Sequence, residues 1–469
     1  MTDVRTGPRW VRWATGAALA VGLAALWSCA AGGGGGVGLH APDLPSRTLT
    51  LTWSGDPARS IDAFWLDRGD IEAAPKAVTL IEPDGTRRSA DADHQSFAGI
   101  QPGGAGPRLQ VRRVRFKGLR PDTRYALRLA GSPPVVFDTA PATLDRPLVF
   151  AEGGDCGTSR FVAQLHRHVA RRKPLFGVVG GDIAYADGSD EAAWVTFLSD
   201  WRAHLREADA AVVEGVPADR LVPLIATIGN HELPQGFSGT REDAPLFLAL
   251  FGDPTGGLFA AESYGVLDFG DYLSLLLLDS GHISPPDGPQ TRWLEAKLRE
   301  RVDRPHVFSV HHVPMFPSHR APGPWGPRGA VGQAMREHWL PLFATYGVSV
   351  AFEHDDHTYK RSLPLVEGEV ARTPAERSRA TVFLGDGAWG RGGRWAHRRE
   401  HLARAAGVRH VFAVTLEPGG GRSFEAIDPG GEVFDTFRVD PPEAPASEAS
   451  GASESPWLEN LYGRGVGVR

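Results

Sequence analysis

Five short blocks of polar residues follow apolar runs of the chain, and their side chains are of the types that bind metal ions and move protons. In chain order they are GDCG at 154–157, GDIAY at 181–185, GNHE at 229–232, HHVP at 311–314 and HDDH at 354–357. One such block is commonplace, because glycine and aspartate after a strand often form only a turn. Five in one region exceed what packing requires. Carboxylate, amide, imidazole and phenol donors together suit hard to borderline metal ions.

The second block points to more than one cation. Asp182 follows an apolar run and a glycine pair, Gly180 and Gly181, which lets the backbone pass close to a bound group. A carboxylate between two cations bridges them, and two metals about 3.5–4 Å apart clamp the attacking and leaving oxygens of a phosphoryl displacement. The blocks therefore predict a two-metal site that acts on phosphate esters.

The elements that position these blocks alternate between strand and helix from Pro147 onward. The hydrophobic pattern predicts strands at 148–151, 175–179, 221–227, 273–278, 307–310, 348–352 and 381–384. Phe161, Leu165 and Val169 share one helical face between the first two strands, which is typical of a βαβ unit. Ligands of open α/β sheets lie beyond the carboxyl ends of the strands. We therefore expect the five blocks to meet on one rim.

The blocks resemble the signatures of one enzyme family. In order and spacing they match the GDxG, GDxxY, GNHE, VxxH and GHxH motifs of the purple acid phosphatase branch of the calcineurin-like metallophosphoesterases. The resemblance covers roughly residues 48 to 440. It implies an N-terminal β-sandwich followed by an α/β catalytic domain of the four-layer αββα metallophosphoesterase type.

The resemblance also implies a ligand for each metal, position by position. The first metal would be held by Asp155, Asp182, Tyr185 and His357, with Asp182 bridging. The second metal would be held by Asn230, His312 and Asp355. The implied cofactors are Fe(III) and a divalent metal, which is Fe, Zn or Mn.

Two histidines are implied as catalytic. His231, in the GNHE block, would face the substrate phosphate and stabilise its charge or protonate the leaving oxygen. His319 lies on the glycine- and proline-rich loop after His312, where the family often supplies a further substrate histidine. A solvated loop histidine is the alternative for His319. Glu232 would lie behind the ligands.

The fifth block departs from the family pattern. Aligning HTYKR at 357–361 on the family's HxYxR places Asp355 where a ligand histidine is expected and His354 in the place of the glycine. Either Asp355 ligates as a carboxylate, or His354 reaches in, or the second metal binds weakly. In the fourth block, His312 is favoured over His311, because adjacent side chains of a strand point in opposite directions.

The implied activity is that of an acid phosphatase-like phosphoric monoester hydrolase that uses a metal-bound hydroxide on a small-molecule phosphate ester. A phosphodiesterase of the same superfamily is one alternative. A surface-binding protein that has lost catalysis through the altered fifth block is another. A net charge of −6 argues against a nucleic acid as partner.

The regions outside the α/β part have simpler patterns. Alternation in 48–53, 111–116 and 124–129 predicts strands, and GLRPDTRY at 118–125 resembles a fibronectin type III-like module. We expect that β-sandwich to span 47–142 and the catalytic domain to span 147–440. Residues 441–469 begin with a stretch rich in Ser, Ala, Pro and Glu and are predicted to be a disordered tail.

The N-terminus predicts export. Arginines precede an apolar run that is too short to span a membrane, so residues 1–28 are predicted to be a signal peptide. The run ends at Cys29 in a context that resembles a bacterial lipoprotein cleavage box, and residues 29–46 would form a flexible tether. An ordinary signal peptide with an incidental Cys29 is the alternative. The expected location is the cell envelope, outer membrane or periplasm, with membrane contact only through the lipid. Cys156 would then be the one remaining thiol.

Overall fold

The structure is a computed structural model that describes residues 44–68, 77–97, 109–253, 255–321 and 323–441. The predicted signal peptide, Cys29, most of the tether and nearly all of the C-terminal tail lie outside these residues. Within the described ranges, no helix has both the length and the apolar character needed to cross a bilayer.

In its described residues, the N-terminal part consists of one short helix and eight strands. They are α1 Leu44–Thr48, β1 Thr50–Thr52, β2 Ser60–Arg68, β3 Val78–Ile81, β4 Arg87–Ala90, β5 Asp93–Phe97, β6 Leu109–Lys117, β7 Arg124–Leu129 and β8 Val135–Asp138. Residues 44–46, the last of the predicted tether, lie in α1. The Thr48 hydroxyl donates to Leu44 O at 2.7 Å and accepts from Leu66 N at 3.0 Å, which joins this helix to β2.

The N-terminal strands form two sheets. The first sheet has the order β1-β2-β6-β5. Trp53 and Trp65 are completely buried, and the Tyr125 hydroxyl accepts a hydrogen bond from Arg120 N at 2.8 Å. Such a tyrosine-to-backbone bond is common in β-sandwiches. The fibronectin type III assignment itself stays a prediction.

The elements of the α/β part follow in chain order. They are β9 Leu148–Gly153, α2 Arg160–Ala170, β10 Gly177–Gly180, α3 Glu191–His204, β11 Arg206–Val213, β12 Val216–Leu221, β13 Leu224–Thr227, α4 Pro245–Phe251, β14 Gly265–Phe269, β15 Leu273–Leu277, α5 Pro289–Arg299, β16 His306–Val310, α6 Gly326–His338, α7 Leu340–Tyr346, β17 Val350–Glu353, β18 Tyr359–Ser362, β19 Leu365–Val366, β20 Glu369–Val370, α8 Pro374–Arg377, β21 Val382–Gly385, β22 Leu402–Ala406, β23 Val411–Leu416, β24 Arg422–Ile427 and β25 Val433–Val439.

The second N-terminal sheet extends beyond the predicted domain boundary. Its order is β11-β12-β8-β7-β3-β4, so a hairpin from residues 206–221 completes it. β12 pairs in parallel with β8, with Asp219 opposite Val135. Arg220 of β12 is buried and contacts Glu207 Oε2 through its Nε at 3.1 Å. The part after residue 147 therefore contributes two strands to the N-terminal sheets.

Two larger sheets form the centre of the α/β part. The third sheet has the order β13-β10-β9-β23-β24-β25, and the fourth has the order β14-β15-β16-β17-β21-β18-β22. The ring of Phe150 on β9 lies 6.3 Å from Phe308 on β16 and 6.5 Å from Phe352 on β17. Aromatic rings of that size bury large areas, so this contact joins the two sheets face to face.

Helices cover the outer faces of both central sheets. α2 packs on α3 and on β23 and β24 of the third sheet, burying Leu165 and Val169. Leu294 of α5 and Phe343 of α7 belong to a separate apolar cluster with Leu276 of the fourth sheet. The layers are therefore helix, sheet, sheet and helix, and this metallophosphoesterase-type α/β fold is the predicted one.

Candidate metal centre

The five polar blocks follow parallel strands of the two central sheets. β9, β10 and β13 run parallel in the third sheet, and β16 and β17 run parallel in the fourth. Asp155 follows β9, Asp182 and Tyr185 follow β10, and Asn230 and His231 follow β13. His312 follows β16, and Asp355 and His357 follow β17. The carboxyl ends of strands from both sheets therefore meet at one site, as expected for α/β folds.

The backbone at this rim is strained. Asp155 has φ of 54°, Asp182 of 52°, Tyr185 of 58°, Asp355 of 71° and His357 of 56°. A residue other than glycine in this region costs on the order of 1–3 kcal/mol, and such residues concentrate at functional sites. Because five proposed ligands have this conformation, we infer that the loops orient these side chains at the expense of the backbone's preferred conformation.

Asp155 is the centre of the first ligand group. Its Oδ1 accepts a hydrogen bond from the Tyr185 hydroxyl at 2.8 Å and lies 2.8 Å from His357 Nε2. The Tyr185 hydroxyl is 3.1 Å from the same histidine nitrogen. Ligand atoms of Asp155, Asp182 and His357 lie within 4.8 Å of one another. Burial and the two aspartates raise the pKa of Tyr185 well above its usual value, so the phenol needs a strongly acidic cation to ionise.

Asp155 is held in place by backbone groups. Asp355 N donates to Asp155 Oδ2 at 2.9 Å, across from the fifth block. A Cβ at Gly387 would lie only 1.7 Å from the same oxygen, and Gly387 has φ of 62°. The loop after β21 therefore closes against Asp155, and only glycine permits that approach.

His312 is the centre of the second ligand group. Its Nδ1 lies 2.9 Å from Gly180 O, which accepts a hydrogen bond from the ring and turns Nε2 toward the site. Nε2 is 3.3 Å from Asp182 Oδ1, 3.3 Å from Asn230 Oδ1 and 3.9 Å from Asp355 Oδ1. Asp182, His312 and Asp355 form a second set of ligand atoms within 4.8 Å.

Asp182 belongs to both groups. Burial alone would raise its pKa, but the charges and hydrogen bonds of His312 and His231 together outweigh burial and hold the pKa of Asp182 well below its usual range. In turn, burial would lower the pKa of His312, whereas Asp182 and Asp155 raise it to about 10. The buried carboxylates therefore form a negatively charged cluster that attracts positive charge, including that of His312.

The donor chemistry fits the implied metals. The first group offers two carboxylates, an imidazole and a phenol, and the second offers two carboxylates, an imidazole and an amide, with Asp182 shared. These are ligands for hard to borderline cations. Asp155, Asp182, Tyr185 and His357 would hold one cation. Asn230, His312, Asp355 and Asp182 would hold the other.

Glu232 shapes the loops behind the ligands. Its carboxylate accepts hydrogen bonds from Gly229 N at 2.7 Å, Asp182 N at 2.8 Å and Ile183 N at 2.9 Å. Burial, followed by the charge of Asp182, raises the pKa of Glu232 to about 7. It thus ties the second and third blocks together without reaching the site, in the place predicted for it.

His231 lies at the mouth of the site. Its backbone N donates to Asp182 Oδ1 at 2.8 Å, and its ring stacks at 4.3 Å from the ring of Tyr185. Its Nδ1 is 2.5 Å from Asp187 Oδ1, and its Nε2 lies 3.8 Å from Asp182 Oδ2, beyond hydrogen-bond distance. The side chain is 34% exposed, unlike the ligands. Asp187, two residues beyond the second block, is a contact that the sequence patterns did not identify.

His354 turns away from the site. Its Nε2 lies 3.2 Å from Glu152 Oε1, and its ring is completely buried. A Cβ at Gly180 would lie 1.8 Å from the same nitrogen, so the ring occupies space left by the glycine. Asp355 instead points toward His312. Of the two residues considered as ligands at the fifth block, Asp355 lies in the second group and His354 does not.

Two arginines reach Asp355, and the sequence analysis did not single them out. Arg328 Nε is 2.5 Å from Asp355 Oδ2, and Arg320 Nη1 is 2.9 Å from the same oxygen. Arg328 Nη2 also donates to Asn230 Oδ1 at 2.9 Å. The signal available in the sequence was the unusual carboxylate at 355, which calls for a compensating cation.

The other histidines of the blocks and loops have separate contacts. His311 bonds to Ser309 Oγ at 3.0 Å and lies 3.3 Å from Glu353 Oε1, both inside the fold. His319 N donates to Asp356 Oδ2 at 2.7 Å, whereas its ring Nδ1 lies 2.8 Å from Trp395 O. The structure therefore places the His319 side chain against the loop at 395 rather than in either ligand group.

Cys156 follows Asp155 but is buried. Burial raises the pKa of its thiol well above the usual value, and Asp155 adds to the effect. A neutral, enclosed thiol is a poor nucleophile. Cys156 is therefore a small buried residue and not a candidate nucleophile.

The comparisons with known proteins agree with this geometry. Residues 154–358 match the family described as calcineurin-like phosphoesterase. Probable purple acid phosphatase 20 of Arabidopsis thaliana is 26% identical over 265 residues, which cover 54% of this chain and 55% of that protein. An uncharacterized protein of Mycobacterium tuberculosis is 25% identical over 301 residues, covering 57% and 54%. The chain thus spans about half the length of the curated relatives that it matches.

Solved structures share the fold. Purple acid phosphatase PPD1 from yellow lupin (Lupinus luteus) has a TM-score of 0.65 at 16% identity, over 87% of this chain and 77% of that one. PhoD has a TM-score of 0.56 at 13% identity, over 85% and 90%. The proposed ligands thus lie in a stretch that is similar to calcineurin-like phosphoesterases, and purple acid phosphatases are among the proteins to which this chain is similar.

Proposed function

We propose that this chain is a phosphoric monoester hydrolase of the acid phosphatase type, with Fe(III) at the first ligand group and a divalent metal at the second. The observation that carries the proposal is the position of Asp182, which belongs to both ligand groups and lies 3.3 Å from His312. Two cations that share one carboxylate activate a bound water and take up charge on the phosphate.

The protein's own residues have distinct tasks in this proposal. Asp182 sets the spacing of the two groups, and Glu232 fixes the loop that carries Asp182 through two backbone N–H groups. His231 lies beside Asp182 at the open side of the site. Its bond to Asp187 leaves Nε2 to donate to a phosphate oxygen or to the leaving oxygen. Most of the proposed ligands are buried and shielded from bulk water, whereas Tyr185 and His357 are half-buried.

Fe(III) at the first group is supported by the tyrosine. The Tyr185 hydroxyl lies within hydrogen-bond distance of Asp155 and His357, and its pKa is raised by burial and by neighbouring aspartates. Such a phenol favours a trivalent cation, which is the strongest Lewis acid among the proposed metals. The export and lipid anchoring proposed for Cys29 concern residues outside the described ranges.

A phosphodiesterase of the same superfamily is the second candidate, and one feature favours it. A cleft opens beside Asp355 and is lined by Arg320, Trp325 and Arg328 among others. Trp325 is 83% exposed, which is unusual for so large an apolar side chain. A cationic cleft with an aromatic wall offers room for a second substituent on the phosphate.

One experiment separates these functions. Purified protein would be analysed for bound metals and then assayed with aryl phosphate monoesters and with bis-aryl phosphate diesters across pH. We expect metal at the first group and faster turnover of the monoester. Faster turnover of the diester would favour the second candidate. Bound metal without turnover of either ester would favour a surface-binding protein that has lost catalysis.

A further inference from the structure

Asp355 carries more compensating positive charge than any other proposed ligand. Its side chain is only 2% exposed, yet it contacts two guanidinium groups, from Arg320 and Arg328. The ion pairs of Asp155 and Asp182 in the described ranges are with histidines only. In the second ligand group two arginines therefore pair directly with a ligand carboxylate, whereas beside the first group Arg391 lies over the ring of Tyr185, 3.8 Å from its centre.

Arg328 is positioned by three contacts. Its Nε meets Asp355 Oδ2 at 2.5 Å, and its Nη2 donates to Asn230 Oδ1 at 2.9 Å. Its guanidinium carbon lies 5.3 Å from the centre of the Phe237 ring, within the range of a cation–π contact. Asn230 and Asp355 are two of the three residues predicted to hold the second metal. The guanidinium thus binds the oxygens that the metal would use.

The positive charge of the Arg328 guanidinium would repel a divalent cation at the second ligand group. Like charges a few ångströms apart in a poorly solvated site repel strongly, and Asp355 has a single negative charge to share. Asp355 Oδ2 is already paired with both guanidinium groups, 2.5 Å from Arg328 Nε and 2.9 Å from Arg320 Nη1. A metal that enters the second group must therefore replace a contact rather than fill an open site.

The surroundings of Arg328 leave space for its movement. Arg328 is in the first turn of α6 and lines the cleft next to Asp355 together with Gly329 and Gly332. Glycines add no side chains to that wall, and the guanidinium is one third exposed. The side chain has room to leave Asn230 and Asp355 by rotation of its own bonds.

We infer that Arg328 is a built-in competitor of the second cation. Its guanidinium and the second metal are alternative occupants of Asn230 and Asp355, so the chain binds the first cation tightly and the second weakly. This inference rests on the two ligand groups of the proposed function, but not on the substrate or on turnover. It assigns to Arg328 the control of how many cations the site holds.

The test is a metal titration that does not depend on activity. Metal-depleted protein would be titrated with Mn(II) in a calorimeter, first as wild type and then as Arg328→Ala, Arg328→Lys and Arg336→Ala. Arg336 lies on the same helix and lines the same cleft, but its guanidinium bonds to a backbone oxygen, Met315 O. Arg336→Ala thus removes equal charge without touching a predicted ligand.

We expect Arg328→Ala to bind the second Mn(II) about tenfold more tightly or better, since the repulsion and the competing hydrogen bonds disappear together. Arg328→Lys keeps the charge but loses the fork that spans two oxygens, so it should lie between wild type and Arg328→Ala. The affinity of the first site and the second-site affinity of Arg336→Ala should stay near the wild-type values.

An unchanged or weaker second-site affinity in folded Arg328→Ala would overturn the inference, and so would an equal gain in Arg336→Ala. Circular dichroism and the melting temperature establish folding of each variant. If Arg328→Ala does not fold, Arg328→Gln replaces it, with the same expectation. Should the titration succeed while phosphate esters are not hydrolysed, the proposed function fails and this inference stands.

Discussion

The two ligand groups of the site are built in different ways. The first is closed by the backbone, because Asp355 N and the Gly387 turn hold Asp155 from two sides. The second is closed by side chains, because Arg320 and Arg328 neutralise Asp355. Backbone contacts fix a ligand regardless of charge, whereas a guanidinium leaves when a stronger cation competes. The comparison suggests one permanent and one exchangeable cation.

Removal of the shared ligand should have the largest effect. Asp182→Asn takes a charge from both groups, so we expect loss of both cations and a drop in turnover of at least about 10³-fold. Asp155→Asn should strip mainly the first cation, and Asp355→Asn mainly the second. Metal content and turnover of an aryl phosphate would give the ranking. An Asp182→Asn protein with both metals retained would contradict the shared position of this carboxylate.

His231 should matter for turnover and not for metal. His231→Ala removes the donor at the mouth, and we expect a loss of about 10²-fold with both cations retained. Asp187→Asn is the matched control, because it keeps the ring but weakens its orientation, and its effect should be smaller. Measured metal loss in His231→Ala would mean that His231 is a ligand.

Asp355→His brings the family's residue type back and tests the charge balance directly. With Arg320 and Arg328 still present, the imidazole leaves two guanidiniums unpaired, so we expect second-cation affinity to fall about tenfold. Adding Arg328→Ala should recover affinity. Equal affinities of the single and double variants, measured by Mn(II) titration, would show that the arginine does not set the strength of the second site.

Tyr185→Phe tests the first group with a smaller functional cost. The phenol is proposed to bind Fe(III), so wild-type protein should be purple to pink and the variant should lose most of its visible absorption. We expect turnover to fall by no more than about tenfold, since the other ligands remain. A colourless wild type with full iron content would remove Tyr185 from the ligand set.

The sequence predicted the ligand residues of both groups, but not the two arginines that contact the second group. Asp155 and Asp182 each follow an apolar run and a glycine in the sequence. In the structure these runs are neighbouring parallel strands, so the residues after them lie at the same edge of the sheet. The fourth and fifth blocks also came to the site. The metallophosphoesterase-type fold is confirmed, since alternating strands and helices leave few other architectures.

What the sequence did not reveal depends on contacts between distant segments. Arg328 lies 27 residues from Asp355, in a glycine- and proline-rich loop and helix start without hydrophobic periodicity. The hairpin β11-β12 belongs to the second N-terminal sheet, although its strands are half exposed. Its sequence lacks the alternation of apolar and polar residues that would have predicted these strands. Asp187 is exposed, and only its short distance to His231 identifies it as part of the site.

The cation affinities of the two ligand groups can be compared only at a pH at which the protein stays folded. A buried histidine limits that pH range. His166 of α2 is completely buried, and its ring lies 5.2 Å from Trp201 and 5.4 Å from Trp389. Trp389 N in turn donates to Gly154 O, next to Asp155. Protonation of His166 would therefore disturb the base of the first ligand group.

Burial lowers the pKa of His166 from 6.5 to about 3. The unfolded chain binds this proton more readily than the folded protein does. The contribution of neutral His166 to stability is therefore present above pH 6.5 and is lost as pH falls toward 3. His166→Phe keeps an aromatic ring but cannot titrate. Between pH 7.5 and pH 5 we expect wild type to lose about 1–2 kcal/mol more than His166→Phe in urea unfolding. His94→Gln, at an exposed histidine, is the control and should follow wild type. Parallel losses in wild type and His166→Phe would mean that other groups govern acid stability, and that the two ligand groups can be compared at lower pH without this correction.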